Sequence, residues 1–440
     1  MGYGNCSCVV LRAFASAEIS PTRKKGVRAT PLAPMRCRPA FAMATLAVFA
    51  TALSSTPADV ASRAITALVQ QPDPPGGVSS LHHLGDYGVA ISFSAMYDAM
   101  AAFPGQDWSP FLSARLDAYA ADPASVAHAV LNNATVPWGY SVGDTTGLFP
   151  IAYLSRALHS NNTDPASVDW TLALRVADRY VLGWPLRLPD LTISRHAGWG
   201  KEPDRNASFL WQDDQFMGLA LLSRLSRQPA VPAESRARYR DFVAAQHAGF
   251  AKRCQDAATG LYRHGFNDAT GDRSCCFWGR ANGWVMMAHA EVALALAAAE
   301  PPHAALPDVL AVWRRHAAGL AAVAPPAGAA DARFHQVLDA PGTFPETSVT
   351  AMACYSLATG ISAGFLDRAA FDAPLRAAWA GVAAAVPASG AAASGRARRP
   401  TPRPRPRDGC GTGRRGCCRG RTGDEEMGGP PCARVQRGKG

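Results

Sequence analysis

The 440-residue sequence predicts an all-α fold built from stacked helical hairpins. Its middle is rich in Ala and Leu at helical spacing, and it lacks the long alternating polar and apolar runs of strands. No strong internal repeat accompanies the helical segments, which favours a closed toroid over a regular solenoid. Twelve helices, or six hairpins, close an (α/α)6 barrel. The sequence offers eleven, so we expect the barrel to be incomplete at its C-terminus.

The candidate helices are defined by their apolar spacing and by the residues that punctuate them. The segment 346–360 follows Pro345 and ends at Gly360, the asymmetry expected of helix boundaries. The segment 281–299 carries one apolar face, formed by Trp284, Met287, Ala288, Val292 and Leu296. The full set of predicted helices is 57–71, 88–102, 110–121, 146–159, 168–182, 212–227, 233–250, 281–299, 305–323, 346–360 and 366–386.

The N-terminal sequence is typical of a signal peptide preceded by additional residues. From Met35 a basic stretch is followed by an apolar run from Ala40 to Leu53 and then by small residues. At 14 residues this run is shorter than the about 20 that span a membrane. We therefore predict a signal peptide at 35–56 and a secreted protein, with 1–34 as a leader or an over-extended reading frame. A buried or low-complexity Ala-rich helix is the alternative.

The C-terminal sequence changes abruptly to Arg-Pro and Gly-Arg-Cys runs after Ala393. Such a composition buries no apolar surface, so 394–440 is predicted to be a disordered basic tail. It begins where a last helix is still expected, which favours a frame or splice error over a natural polyanion-binding tail. The segment 57–393 is therefore predicted to form the α/α-barrel catalytic domain.

Charge is distributed very unevenly along the chain. The net charge is +10 in total, with +6 in residues 1–56, +9 in 396–440 and −5 in the region between them. A nucleic-acid-binding face should appear as a basic stripe on a folded element, and the middle has none. We therefore expect no nucleic-acid partner, and no membrane association after signal cleavage. The oligomeric state is not predicted.

Cysteine spacing and glycosylation signals are compatible with a secretory route. Only Cys254, Cys275, Cys276 and Cys354 lie in the middle region, where one disulfide from Cys254 to Cys275 or Cys276 is conceivable in an oxidising compartment. None of the spacings is Cys-x-x-Cys, so no metal site is expected. Three N-glycosylation sequons occur, at Asn133, Asn161 and Asn206.

The first candidate site segment contains two adjacent carboxylates. Residues 195–200 read Arg-His-Ala-Gly-Trp-Gly, and residues 211–217 read Trp-Gln-Asp-Asp-Gln-Phe-Met. Asp213 and Asp214 stand at the start of a predicted helix, where either one can serve as a cap for backbone N–H groups. The functional alternative is a carboxylate at the mouth of the barrel beside a sugar-stacking Trp211. Composition does not decide between the two.

Two further segments join polar residues to an apolar helix. His264-Gly-Phe is followed by Phe-Trp-Gly-Arg-Ala-Asn-Gly-Trp at 277–284, where Arg280 either binds a substrate carboxylate or neutralises a helix C-terminus. His264 is either a proton-handling group or an ordinary turn histidine. The last segment, 335–348, begins His-Gln-Val-Leu-Asp and ends Phe-Pro-Glu-Thr-Ser, with Glu346 at a helix start.

Taken together, the three segments resemble the unsaturated glucuronyl and rhamnogalacturonyl hydrolases, glycoside hydrolase families 88 and 105, and family 105 most. The matching strings are Trp-x-Asp-Asp-x-Phe-Met at 211–217, Phe-Trp-x-Arg-x-Asn-Gly-Trp at 277–284, and His-Gln-Val-Leu-Asp through Glu-Thr-Ser to Ala-Met at 335–352. Their order and separations also fit. The resemblance is clear over about 190–360 and loose over 80–190.

This resemblance implies an (α/α)6 barrel that needs no metal or organic cofactor. It implies release of a terminal 4,5-unsaturated uronic acid from oligosaccharides left by polysaccharide lyases, such as rhamnogalacturonan fragments. An aspartic acid protonates C4, water is delivered to C5, and the resulting hemiketal opens. One carboxyl can serve both proton transfers if burial or a neighbouring acid raises its pKa. The motif assigns that role to Asp213, with Asp214 as the adjacent candidate.

The resemblance also implies the remaining site residues. Asp144 best matches the family's second catalytic aspartate, although its local spacing departs from the usual pattern. The substrate-binding residues implied are Trp211, Asp214, His264, Trp278, Arg280 and, loosely, His196 with Arg195. Family members continue with a Gly-rich segment and a closing helix, where this chain has Arg-Pro repeats.

Other functions are compatible with the same residues. An inverting glycosidase on saturated sugars needs two carboxylates roughly 6.5–9.5 Å apart, which Asp213 with Asp144 or Glu346 can supply. A second alternative is an inactive carbohydrate-binding product that keeps Trp211 and Trp278 without a closed pocket. A third is a chain that does not fold stably.

Overall fold

The computed structural model describes residues 56–70, 84–103, 105–136, 148–195, 208–326 and 329–386. The predicted leader, signal peptide and basic tail lie outside these residues, as do Asp144, His196 and the sequon at Asn206.

The described residues are predominantly helical, as predicted. Each predicted helix is present within a few residues of its expected bounds. Their bounds are α1 Pro57–Gln70, α2 Tyr87–Ala102, α3 Ser109–Ala121, α4 Val126–Leu131, α5 Phe149–His159, α6 Val168–Val176 with a π-helical turn at Ala177–Val181, α7 Asp213–Leu225, α8 Ala233–Cys254, α9 Gly279–Ala297, α10 Leu306–Ala322, α11 Thr347–Ser362 and α12 Arg368–Ala385. Two short strands, β1 Phe209–Trp211 and β2 Gly265–Asn267, were not predicted. The six-residue α4 was also missed.

The helices alternate between an inner and an outer set. The inner helices α2, α5, α7, α9 and α11 are buried around most of their circumference. They pack side by side, α2 against α5, α7 against α9 and α9 against α11. The outer helices bury only one face; α3, for example, buries Leu112 and Leu116 alone. A helix that is apolar all round belongs inside a fold, and a striped one belongs at its surface. The arrangement is an α/α toroid.

A buried charge cluster links three of the inner helices. Glu291 on α9 accepts from Arg224 at 3.0 Å, from Arg227 at 2.8 Å and from the hydroxyl of Tyr355 at 3.1 Å. Arg224 lies on α7 and Arg227 just beyond its end, while Glu291 lies on α9 and Tyr355 on α11. Arg224 lies eleven residues beyond Asp213, about 16 Å along α7 at the usual helical rise. A buried charge left without its partners is costly, so the cluster fixes the register of the three helices.

The disulfide alternative is not realised. Cys254, Cys276 and Cys354 are buried free thiols, and Cys275 is an exposed one.

No helix within the described ranges combines the length and the apolar character that a bilayer span requires.

Candidate active site

A two-stranded ribbon brings the first two candidate segments together. β1 pairs with β2 in antiparallel register, with Trp211 opposite Gly265. One step further, the backbone N–H of Gln212 donates to the carbonyl of His264 at 2.9 Å. The ribbon therefore places Asp213, the first residue of α7, beside the His264 side chain.

Asp213 and His264 form a hydrogen-bonded pair. The Nε2 atom of His264 lies 2.8 Å from Oδ2 of Asp213, and their side chains are 6% and 17% exposed respectively. Burial by itself raises the pKa of Asp213, but the charge and hydrogen bond of His264, with a smaller effect of Arg195, outweigh it. The pKa of Asp213 is lowered from its ordinary value. Burial alone would raise this pKa, as a carboxyl that serves both proton transfers requires, but the facing histidine, which local spacing does not show, reverses the direction.

His264 lies at the centre of a stack of five side chains, which we call the aromatic stack. Its ring centroid is 4.8 Å from that of Trp211 on one side and 4.6 Å from that of Trp278 on the other. The guanidinium of Arg195 lies 4.4 Å from the centre of the Trp211 ring, and that of Arg280 lies 4.5 Å from the centre of the Trp278 ring. The site is therefore both aromatic and cationic, a combination suited to an anionic sugar.

Each arginine of the aromatic stack is held by a buried acid. Arg195 makes a two-pronged contact with Asp214, Nε to Oδ2 at 3.0 Å and Nη2 to Oδ1 at 2.7 Å. Arg280 donates from Nη1 to Oε1 of Glu346 at 2.8 Å. Glu346 also accepts from the hydroxyl of Ser348, and its burial raises its pKa. The Arg195 side chain is 9% exposed and that of Arg280 is 31% exposed, so Arg280 is the more accessible arginine.

The third segment joins the site through backbone pairing. Trp278 is bridged to Val337, and the N–H of Gly279 donates to the carbonyl of Gln336 at 2.7 Å. The first turns of α7, α9 and α11 thus meet at one end of the inner set. Helix N-termini carry partial positive charge, which adds to that of the arginines.

The structure brings most of the predicted site residues together. Six of them lie around the aromatic stack: Trp211, Asp213, Asp214, His264, Trp278 and Arg280. Asp214 is fully buried against Arg195, which favours support of that arginine over contact with substrate. Gln212, which precedes α7, makes no capping hydrogen bond with its side chain.

Sequence reasoning missed two features of the site. Glu346 was considered as a helix start or a second carboxylate, and its partnership with Arg280, 66 residues away, was not predicted. Asn282 belongs to the second motif string, which assigns it no role. In the structure its side chain bonds the backbone of Tyr262 and Trp278.

The chain is similar to known proteins in sequence and in fold. Residues 188–397 match the model of Glycosyl Hydrolase Family 88. No curated protein sequence matches the chain.

Solved structures share the fold. A possible member of the GH105 family from Salmonella enterica is 17% identical, with a TM-score of 0.59 over 76% of this chain and 82% of its own. A possible GH105 member from Klebsiella pneumoniae is 15% identical, with a TM-score of 0.56 over 82% and 88%. An unsaturated glucuronyl hydrolase from Bacillus sp. GL1, responsible for glycosaminoglycan degradation, is 15% identical, with a TM-score of 0.50 over 68% and 74%.

Proposed function

We propose that this chain, a glycoside hydrolase related to families 88 and 105, removes the terminal 4,5-unsaturated uronic acid from oligosaccharides generated by polysaccharide lyases, rhamnogalacturonan fragments among them. The observation that carries the proposal is the Asp213–His264 pair, set between two tryptophans and two arginines at the N-terminal ends of inner helices. The activity named for the Bacillus sp. GL1 structure supports the same substrate class.

Arg280 and the tryptophans are proposed to bind the unsaturated sugar. The C4=C5 bond is conjugated with the carboxylate, so that part of the ring is flat and anionic. An indole face packs well against a flat ring, and a guanidinium donates two parallel hydrogen bonds to a carboxylate. Arg280 suits this role because it lies over Trp278 and is the more exposed arginine. His196 and Asp214 remain proposed binding residues from the sequence, Asp214 acting through Arg195.

Asp213 is proposed to transfer the proton in both halves of the reaction. In the first half its carboxyl gives a proton to C4, and the ring oxygen stabilises the positive charge that develops at C5. In the second half a water oxygen bonds to C5 and returns a proton to the Asp213 carboxylate. The resulting hemiketal opens and releases the remaining sugar, so one water is consumed for each turnover. Asp144 is proposed as the second catalytic aspartate.

His264 explains how a carboxyl with a lowered pKa can act as an acid. Asp213 favours the ionised form, because His264 stabilises its charge. The two groups share a hydrogen bond, and a proton held by the pair can move along it to Oδ2. A bound substrate carboxylate brings negative charge to the site, and nearby negative charge raises the proton affinity of a carboxylate. We therefore infer that the Asp213–His264 pair is the proton-transfer unit.

The proposal is tested by following the ultraviolet absorbance of the conjugated double bond. Purified protein incubated with an unsaturated uronyl disaccharide should abolish the absorbance and release the neighbouring sugar. The reaction in heavy water should place one deuterium at C4, and oxygen-labelled water should deliver the label to C5. The matching saturated disaccharide should stay intact. Cleavage of the saturated sugar, with the double bond of the unsaturated one preserved, would show an ordinary inverting glycosidase instead.

A further inference from the structure

Three histidines outside the aromatic stack form a buried chain between helices. Nε2 of His247 on α8 lies 2.7 Å from Nδ1 of His289 on α9, and Nε2 of His289 lies 3.1 Å from Nδ1 of His316 on α10. Nε2 of His316 in turn lies 3.0 Å from Oδ1 of Asn282. All four side chains are fully buried or nearly so. Burial lowers the pKa of each histidine, so all three are neutral at pH 7.

The orientation of the Asn282 amide is fixed by its backbone partners. Its Nδ2 atom donates to the carbonyls of Tyr262 at 3.0 Å and Trp278 at 2.9 Å, while its Oδ1 atom accepts from the N–H of Tyr262 at 2.8 Å. Turning the amide over would set like groups against each other at all three contacts. Oδ1 therefore faces His316 as an acceptor.

The fixed amide sets the tautomer of each histidine in turn. His316 must donate from Nε2 to Asn282, so its Nδ1 is an acceptor. His289 must then donate from Nε2 to His316, and His247 must donate from Nε2 to His289. The chain of hydrogen bonds has a single direction, and it ends on the amide that holds Trp278 and Tyr262.

The backbone held by Asn282 carries two members of the aromatic stack. Trp278 is one of them, and His264 follows Tyr262 by two residues. Asp213 lies on α7 and is not bonded to this amide. The Asn282 amide therefore supports the backbone on either side of the site, and it does so together with the backbone bond from Gln212 to His264 that places Asp213 beside the imidazole.

We propose that His247, His289, His316 and Asn282 form a positioning network for the proton-transfer unit. The inference rests on the proposed function and deepens it. The network holds the backbone of Trp278 and of Tyr262, two residues before His264, by hydrogen bonds that run through the wall of the toroid from an outer helix. All of its members are buried, so the proposed role is to position other residues rather than to contact substrate. Geometry errors of about 1 Å at a reacting group can cost about 100-fold in rate, so the network should affect turnover more than binding.

The first experiment tests the direction of the chain without using activity. Long-range proton–nitrogen NMR of the full chain labelled with nitrogen-15 histidine reports the tautomer of each ring. His247, His289 and His316 should all appear as neutral Nε2–H tautomers at pH 7. A neutral Nδ1–H tautomer or a charged ring at any of the three positions would overturn the proposed chain.

The second experiment separates positioning from simple stability. Asn282→Asp keeps the acceptor for His316 and Tyr262 but loses both donors to backbone carbonyls. Its kcat should fall about 10- to 100-fold, with KM changed by less than about threefold. The control is Ser356→Ala, which removes buried hydrogen bonds to Trp313 and to the Met286 carbonyl in the same wall but reaches neither clamped segment. Its kcat should stay within about twofold of wild type.

A rescue pair tests the histidine end of the network. His316→Leu leaves Oδ1 of Asn282 without its imidazole donor, whereas His316→Gln offers an amide N–H in its place. The kcat of the glutamine variant should exceed that of the leucine variant at least threefold. Equal kcat values in wild type, Asn282→Asp and Ser356→Ala, all assayed well below their Tm, would reduce the network to a structural role.

Failure of the proposed function and failure of the positioning network give different experimental results. If the wild type does not consume an unsaturated uronide, the proposed function fails, and the NMR experiments still decide the inference. The His264 ring signals, which report its bond to Asp213, should change in Asn282→Asp and stay unchanged in Ser356→Ala. Unchanged His264 signals in Asn282→Asp would contradict the network.

Discussion

Arg195 and Arg280 lie at opposite ends of the aromatic stack and carry the same charge, but their surroundings differ. Arg195 is buried and makes two contacts with the fully buried Asp214. Arg280 makes one contact with Glu346 and is about one-third exposed. The first arginine is therefore suited to holding Trp211, and the second to meeting a substrate.

Replacing Arg280 tests this division at the residue scale. Arg280→Ala should raise KM for an unsaturated uronide about 10- to 100-fold, because a charge-assisted hydrogen bond contributes about 1.5–3 kcal/mol. The change in kcat should be smaller. Arg280→Lys keeps the charge without the two-pronged geometry and should give an intermediate KM. Steady-state kinetics check both values, and an unchanged KM in Arg280→Ala would remove the arginine from substrate binding.

The sequence predicted the residues of the site better than the contacts between them. Spacing alone left Asp213 as either a helix cap or a catalytic group, and the three motif strings were needed to choose. The partner that lowers its pKa, His264, lies 51 positions away, and nothing in local spacing shows that contact. The bond from Arg280 to Glu346 was missed for the same reason. Long-range pairing depends on how the inner helices are assembled.

The length of a helix or strand decided whether it could be predicted from the sequence. Helices of nine or more residues show several turns of apolar spacing, and all of those described were found from the sequence. β1 and β2 have three residues each, too short for an alternating pattern to appear. They nevertheless determine the site, because their pairing brings Trp211 opposite Gly265, next to His264.

Gly279 begins α9 and directly follows Trp278 of the aromatic stack. A Cβ atom at this position would lie 2.8 Å from the carbonyl oxygen of His335 and 3.2 Å from that of Gln336. Both are backbone atoms, so the backbone segment that carries Trp278 must shift to make room. Gly279→Ala should lower kcat/KM at least about 10-fold, even though alanine favours helix by about 0.5–1 kcal/mol.

Gly342 provides the control in the facing segment that carries His335 and Gln336, since a Cβ atom there meets nothing within 4 Å. Gly342→Ala should keep wild-type kcat/KM. Equal kinetics for the two glycine variants would contradict the close approach at Gly279.

The histidine network should make stability depend on pH. Its members have pKa values below the ordinary 6.5, about 4 for His247 and about 3 for His316. Below pH 6.5 the unfolded chain binds protons that the folded chain does not, so their contribution is complete above pH 6.5 and is lost as pH falls toward 4. The free energy of unfolding should drop by up to about 1.4 kcal/mol per pH unit for each histidine.

Urea unfolding at pH 7 and pH 5 measures this dependence. In His316→Gln the decrease in the free energy of unfolding between pH 7 and pH 5 should be smaller by the contribution of one histidine. A wild-type stability that stays level between these pH values would show that the buried rings titrate as they do in the unfolded chain, so that their pKa values are not lowered.

At the scale of the whole molecule, the charge distribution separates the toroid from both ends of the sequence. Residues 57–395 carry −5, while the two ends carry the positive charge. Inner and outer helices were not distinguished from the sequence: one apolar face is expected for 281–299, whereas α9 is buried around most of its circumference. Secretion and removal of 1–56 remain predictions from the sequence.

Deletion of the basic C-terminal segment tests its independence from the toroid. Residues 396–440 have few apolar side chains, so their removal should leave Tm unchanged. Truncation after residue 367 is the contrasting variant, because it also removes α12 with buried Phe371, Trp379 and Val382. That variant should lose stability clearly. A lower Tm on removing 396–440 alone would show that the basic segment packs on the barrel.

The central claim is that Asp213 transfers the proton, and two adjacent substitutions test it most directly. Asp213→Asn keeps the shape of the side chain and removes the titrating group. Its rate of absorbance loss on an unsaturated uronyl disaccharide should fall at least about 100-fold, with Tm nearly unchanged. Asp214→Asn breaks the buried pair with Arg195, so it should lower Tm and cost less activity. Near-wild-type activity in Asp213→Asn, with a Tm several degrees lower, would make Asp213 a helix cap and contradict the account.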